Sequence, residues 1–228
     1  MSSAHSLPVT VDDDWLAMQS AGSLSPFKQL LLTCQADINP HVREAFITDD
    51  HVAGVLLESA KPAAMSDDFL SRLNARLDTE EAAETAVHAA STGTHEEDSQ
   101  PEWMPSPLAD YIRRSGRRLK WRSAGLGVQQ ARLGRNNRGE RLYLLRARPG
   151  LPVPRHSHSG QEWTLVLAGG YKSGSQQFGP GDLHQEDEGC MHDLRIDDDG
   201  PCISLIVDEG KLRFANPLLR LFQPVLGI

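Results

Sequence analysis

Arg155-His156-Ser157-His158-Ser159-Gly160-Gln161-Glu162 is the densest part of the stretch from Gly150 to His192 around which the chain is organised. Five residues separate Gly150 from His156, one separates His156 from His158, three separate His158 from Glu162, and six separate Glu162 from Gly169. A second block, Pro180-Gly181-Asp182, follows, with His192 ten residues beyond the Asp. On an extended strand successive side chains alternate faces, so positions 156, 158 and 162 share parity and project together. Two imidazoles and a carboxylate on one face, met by a third imidazole from a later strand, make a metal site. Any one of these histidines alone would read as a surface residue. Four candidate ligands at these separations favour metal.

The pattern resembles the two sequence motifs of the cupin family. The first is complete in Gly150, His156, His158, Glu162 and Gly169. The second is partial: Pro180-Gly181-Asp182 and a later His are present, but no Asn follows His192. The resemblance implies a small antiparallel β-barrel, or jelly roll, with a metal inside. Carried over position by position, its ligands are His156, His158, Glu162 and His192. His184 is the rival for the fourth place, set close after the Pro-Gly-Asp turn.

At 228 residues the chain has room for one large domain or two ordinary ones. A hydrophobic content of 39% with 24% charged residues fits a soluble protein, and no apolar run approaches a membrane span. Three cysteines without close pairing suit a reducing cytoplasm better than a disulfide scaffold. Residues 1–100 carry 17 acidic against 5 basic residues, a net of −12, and the remainder carries 14 against 18, a net of +4. Such a split argues for two units with different partners. An acidic half is a poor binder of nucleic acid and a good match for a basic protein surface.

The first 78 residues read as short helices. Asp12 to Asp14 can cap a helix carrying Trp15, Leu16 and Met18, ended by Ala21-Gly22. Ser25-Pro26 opens another, in which Phe27, Leu30, Leu31 and Cys34 form one apolar face. Asn39-Pro40 and Asp49 or Asp50 each start a short helix, and Ser66 caps a fifth carrying Phe69, Leu70, Leu73 and Leu77. Such narrow apolar faces bury more by packing on something else than on one another. From Thr79 to Glu102 the composition is that of a linker. The expected organisation is therefore α+β, with a helical bundle over 1–78, a linker over 79–104, and a single barrel over 105–228.

Beyond Trp103 the period changes from 3.6 to 2. Strands are expected over 125–133, 141–148, 162–168, 171–178, 191–196 and 202–207, separated by strong turn signals such as Gly169-Gly170 and Asp197-Asp198-Asp199-Gly200-Pro201. Arg113, Arg114, Arg117, Arg118 and Lys120 read as a solvated connector before the first strand. Cys190, two residues before His192, shares its parity and is expected to face into the barrel as a small hydrophobe. A disulfide between Cys190 and Cys202 is disfavoured, because a hairpin at the Asp-rich turn would set Cys202 nearer Arg195.

The two halves in this order resemble the ChrR type of anti-sigma factor. The likeness runs through Ser20-Ala21-Gly22-Ser23-Leu24-Ser25-Pro26, Met65-Ser66-Asp67-Asp68-Phe69-Leu70, the cupin motifs, and the closing Phe222-Gln223-Pro224-Val225-Leu226-Gly227-Ile228. It implies a helical half that sequesters an extracytoplasmic-function sigma factor and a metal-binding cupin that senses stress. One divalent metal per chain is expected, zinc first, with iron, manganese and nickel open. No catalytic residue, nucleic acid or membrane is implied, and the cupin leaves a homodimer open. Members of this family commonly carry His-x-x-x-Cys-x-x-Cys after the second helix. Here Cys34, Ile38 and His41 occupy those places, so a second zinc, even with the distant His5, is disfavoured. The competing reading is a metal-dependent cupin enzyme, dioxygenase-like, or a small-ligand sensor.

Overall fold

The computed structural model describes residues 13–90, 100–125, 127–210 and 212–214. The helices are α1 (Asp13–Ser20), α2 (Pro26–Ile38), α3 (Pro40–Ser59), α4 (Phe69–Ala90) and α5 (Ser106–Arg114). The strands are β1 (Arg122–Gly125), β2 (Val128–Arg135), β3 (Arg141–Ala147), β4 (Pro152–His158), β5 (Glu162–Ala168) and β6 (Tyr171–Ser173). They continue with β7 (Gln176–Phe178), β8 (Leu183–Glu186), β9 (His192–Ile196), β10 (Cys202–Asp208) and β11 (Leu212–Phe214). The paired strands are antiparallel and form two sheets, ordered β1-β2-β3-β10-β5-β8 and β11-β4-β9-β6-β7. Helices followed by this cupin-like sandwich make the α+β architecture read from the sequence.

The first sheet is covered on both faces, and its strands alternate accordingly. Leu142 and Leu144 of β3, Trp163 and Leu165 of β5, and Ile203, Leu205 and Val207 of β10 join a core with Phe27, Leu31 and Leu32 of α2 and Leu108 of α5. The intervening Tyr143, Leu145, Thr164, Ser204 and Ile206 line a cavity inside the sandwich. All seven residues of β10 are therefore buried, as expected of a strand with no solvent face.

Helix α2 forms where the sequence signals it. Ser25 accepts the Lys28 backbone N–H at its N-terminus, and Pro26 stands at the first helical position. Gln35, fully buried, donates through Nε2 to the Gly181 carbonyl at 3.0 Å, tying the helix to the Pro-Gly-Asp turn. Gly181 has φ +89°, a backbone conformation that favours glycine, and it lies in contact range of Ile38 and Asn39. Lys28 Nζ stands 3.8 Å over the Trp163 ring and 2.8 Å from Glu209. Trp15 of α1 meets Trp163 with ring centroids 5.4 Å apart.

The chain divides into two compact units, Met1–Ala53 with Glu102–Ile228, and Gly54–Pro101. The boundaries 1–78, 79–104 and 105–228 do not follow that division, for a physical reason: α1 and α2 bury their apolar faces on the barrel sheet. In the second unit α4 continues past position 78 to Ala90, through the first part of the expected linker. Positions 91–99 of that linker, His5, and the closing 222–228 lie outside the described residues. The two short helices expected from Asn39 and Asp49 are one, α3, and α5 occupies part of the expected connector.

Leu32 sits fully buried between helix and sheet. Leu32→Ala should lower the stability of the barrel unit by about 2–5 kcal/mol, read as a lower urea midpoint. An unchanged midpoint would mean that α2 is not part of the barrel core.

Candidate metal centre

Strand β4 carries His156 and His158, and β9 pairs with it so that His156 faces His192 across the ladder. Two histidines at spacing two on one strand share a face, and the facing strand supplies the third. All three side chains are buried. Their ring nitrogens form a group in which one atom from each residue lies within 4.8 Å of the others. Among the described residues no other His, Cys, Asp and Glu set of three does so.

The hydrogen bonds fix where the imidazole lone pairs point. His156 Nδ1 lies 2.8 Å from the Pro154 carbonyl, an acceptor only, so Nδ1 carries the proton and Nε2 the lone pair. His192 Nδ1 lies 3.1 Å from Glu186 Oε1, a close contact somewhat off the line of a good hydrogen bond. With its proton there, His192 also presents a lone pair at Nε2. The two Nε2 atoms face each other at 2.9 Å, and two lone pairs so placed need a cation between or beside them. Nitrogens bound tetrahedrally to one zinc at about 2.0–2.1 Å stand roughly 3.3 Å apart, so a small outward shift of the two rings would seat the ion. His158 is buried, yet neither of its ring nitrogens has a hydrogen-bond partner among the described residues. A buried polar atom without a partner is costly, and a bound ion would supply one. The donor set fits a metal.

Electrostatics point the same way. Burial, then the neighbouring His192, push His156 and His158 down to about 4, so both are neutral and ligand-ready at neutral pH. Glu162 lies with Oε2 3.4 Å from His158 Nδ1. Burial, then the charge of Asp208, push its carboxyl up to about 7. Asp208 stands directly opposite Glu162 on β10. It is held by a bidentate Arg141, at 2.7 and 2.8 Å, and by the Tyr143 hydroxyl at 2.8 Å. The cavity beside the histidines measures about 140 Å³ and is walled mainly by apolar side chains such as Val128, Leu151, Val153 and Ile206.

The family profile of the ChrR cupin-like domain matches residues 112–211. Over 219 residues, 96% of this chain and 97% of the relative, the sequence is 32% identical to the anti-sigma-E factor ChrR of Cereibacter sphaeroides. The chain belongs to the ChrR family of anti-sigma factors. The crystal structure of Rhodobacter sphaeroides SigE in complex with the anti-sigma ChrR matches this ChrR-family chain with a TM-score of 0.69 and 29% identity, covering 89% of this chain and 100% of that one.

The geometry departs from the sequence pattern at several site residues. Glu162 does not share a strand with His156 and His158, because Ser159-Gly160-Gln161 carries the chain into the other sheet. Its approach to His158 comes from that crossing: Gly160 and Gly210 pack so closely that a Cβ on Gly210 would strike the backbone of Ser159 and Gly160. His184, the rival fourth ligand, lies outside the trio, with Nε2 2.8 Å from Glu186 and its ring stacked on Phe178. Cys190 precedes β9 and is exposed rather than facing the barrel interior. Cys202 is buried, and the Asp-rich turn joins strands of different sheets, so no hairpin pairs it with β9. Cys34 packs in the α2 core, its thiol pushed up to about 12 by burial and then by Asp37, while His41 is exposed. A thiol held protonated suits packing rather than zinc. Glu186 is the residue that sequence reasoning missed.

A His158→Ala, His192→Ala double variant should lose most of the bound metal and His184→Ala far less of it, as measured by elemental analysis of the purified chains. Retention in the double variant with the fold intact would overturn the assignment.

Proposed function

We propose that this chain sequesters an extracytoplasmic-function sigma factor through its helices and that the metal-binding cupin is the stress-sensing module. The metal is zinc, held by His156, His158, Glu162 and His192. The observation that carries the reading is an unpartnered apolar surface in the unit Gly54–Pro101. There Val55, Leu56, Leu57, Met65, Phe69, Leu70, Leu73 and Leu77 are all exposed, with Leu57 at 76% and Leu70 at 63%. Side chains of this size left in water at such density mark a protein-binding surface. The −12 of residues 1–100 suits a partner whose own surface is basic, as a surface that meets DNA is. The family relation supports the same partner class, since the matching crystal structure is one of a sigma factor with its anti-sigma.

The barrel acts as a sensor rather than a catalyst on this reading. A sensor needs a site whose state shifts an equilibrium between two forms, with no requirement for rate enhancement. The cavity beside the histidines is the one observation that favours the alternative of a substrate or small ligand. No described helix is long and apolar enough to cross a membrane.

The chain should co-purify with an extracytoplasmic-function sigma factor of its own organism. Replacing Leu70 and Leu73 with Asp should weaken that association at least tenfold without changing far-UV circular dichroism, because both side chains are already exposed. Undiminished binding by the double variant would remove the apolar surface from the interface. Oxygen consumption by the iron-loaded protein with a small diketone or thiol would promote the enzyme reading.

A further inference from the structure

Glu186 belongs to a connected chain of polar groups that the ligand set does not include. The Tyr171 hydroxyl lies 2.9 Å from His184 Nδ1, His184 Nε2 lies 2.8 Å from Glu186 Oε1, and the same oxygen lies 3.1 Å from His192 Nδ1. One proton assignment suits all three contacts: Tyr171 donates to His184 Nδ1, His184 Nε2–H faces the carboxylate, and His192 Nδ1–H lies beside the same oxygen, off the line of a good hydrogen bond. Every member is at least partly shielded from water, with Glu186 12% and His184 11% exposed. Burial by itself would raise the Glu186 carboxyl, but its contacts with His184 and His192 hold it well below the usual carboxylate range. No other group among the described residues lies against His192 Nδ1 as a hydrogen-bond partner.

We infer that Glu186 is the positioning residue of the metal centre, a carboxylate that holds His192 with Nδ1 outward and Nε2 turned to the ion, while His184 and Tyr171 hold the carboxylate. The inference rests on the metal reading of the site. The three ligand histidines are not equivalent in this respect. His156 is oriented by a backbone carbonyl of its own strand, which no side-chain change can remove. His192 depends on a side chain at the end of β8, an edge strand of the opposite sheet. The outer ring nitrogen of a metal-bound His is normally held by a carboxylate, carbonyl or water, and the loss of that partner costs about 10–100-fold in metal affinity. His192 is therefore the ligand whose geometry can be altered from outside the barrel. Glu186 borders a surface pocket that also includes Cys190, Met191 and Asp193.

The test uses cobalt(II) alone as the probe, titrated into the metal-free full-length protein and followed by its visible ligand-field bands. Glu186→Ala should weaken cobalt binding about 10–100-fold and shift the bands, with the thermal midpoint of the metal-free protein unchanged. Glu186→Gln, which keeps an acceptor oxygen without the charge, should fall between Glu186→Ala and the wild type. Glu188→Ala, which removes an exposed carboxylate two residues away, should bind within about twofold of the wild type, by the weakness of exposed charge interactions. If Glu186→Ala does not fold, Glu186→Gln alone decides, and wild-type affinity in it overturns the proposal. Equal losses in Glu186→Ala and Glu188→Ala would reduce the effect to bulk charge and also overturn it. A wild-type chain that binds cobalt alongside a Glu186→Ala chain of equal affinity would sink the positioning role and leave the metal centre standing. A wild-type chain that takes up no cobalt would sink both.

Discussion

Two carboxylates, Glu162 and Asp208, stand directly opposite each other across β5 and β10, and one guanidinium, Arg141, is bonded to Asp208. Buried like charges at neighbouring positions cannot both stay ionised without compensation. Arg141 and Tyr143 satisfy Asp208, while Glu162 has the longer contacts of the Thr164 and Tyr143 hydroxyls, at 3.3 and 3.4 Å, and burial makes its proton hard to lose. Beside it lie His156 and His158, kept neutral by burial, and His192, with ring nitrogens converging. A divalent cation resolves both problems at once. It supplies the charge that Glu162 lacks and the partner that His158 lacks. Metal and fold are coupled in such a site, because the same ion offsets the cost of having buried the ligands.

The strand that carries Glu162 also carries the seat of the helices. Glu162 points into the sandwich, and the next residue, Trp163, points out against Lys28 and Trp15. Alternation along β5 puts the metal wall and the helix-docking face one residue apart. The Pro180-Gly181-Asp182 turn adds a second junction, since Gln35 of α2 is bonded to its backbone. Both junctions lie within one rigidly packed core in which a displaced side chain is felt by its neighbours. Proximity of this kind does not amount to a signalling pathway. It does mean that α2 cannot shift without disturbing the strand that presents Glu162.

Much of this was legible before the structure. The metal stretch gave His156 and His158 through parity, and the Ser-Pro start gave α2. What failed was information about which sheet a strand joins. A turn signal says that the chain reverses, and Ser159-Gly160-Gln161 and Asp197-Asp198-Asp199-Gly200-Pro201 both reverse it into the opposite sheet. Parity cannot be carried across such a crossing, so Glu162 reaches His158 by another route. Strand β8, Leu183-His184-Gln185-Glu186, was missed because it runs into Asp187-Glu188-Gly189, where acidic and turn residues together resemble a solvated loop. Helix α5 was missed because its arginines mask a single fully buried residue, Leu108. Helix α4 was cut short because alanine and glutamate without an apolar stripe read as linker, although both are strong helix formers.

The apolar residues of the helices divide by what covers them. Those of α2 are inside the barrel unit, where Leu31 and Leu32 have no exposure at all. Phe69, Leu70, Leu73 and Leu77 of α4 and the apolar residues in the last turns of α3 face water. Helices of this kind are marginal alone and gain most of their stability from tertiary packing. Keeping an uncovered apolar face soluble requires charge around it, and the acidic excess of residues 1–100 provides that. The same charge brings a basic partner in quickly, while the apolar side chains slow its departure once water is excluded. The exposed leucines suit a surface completed by another protein.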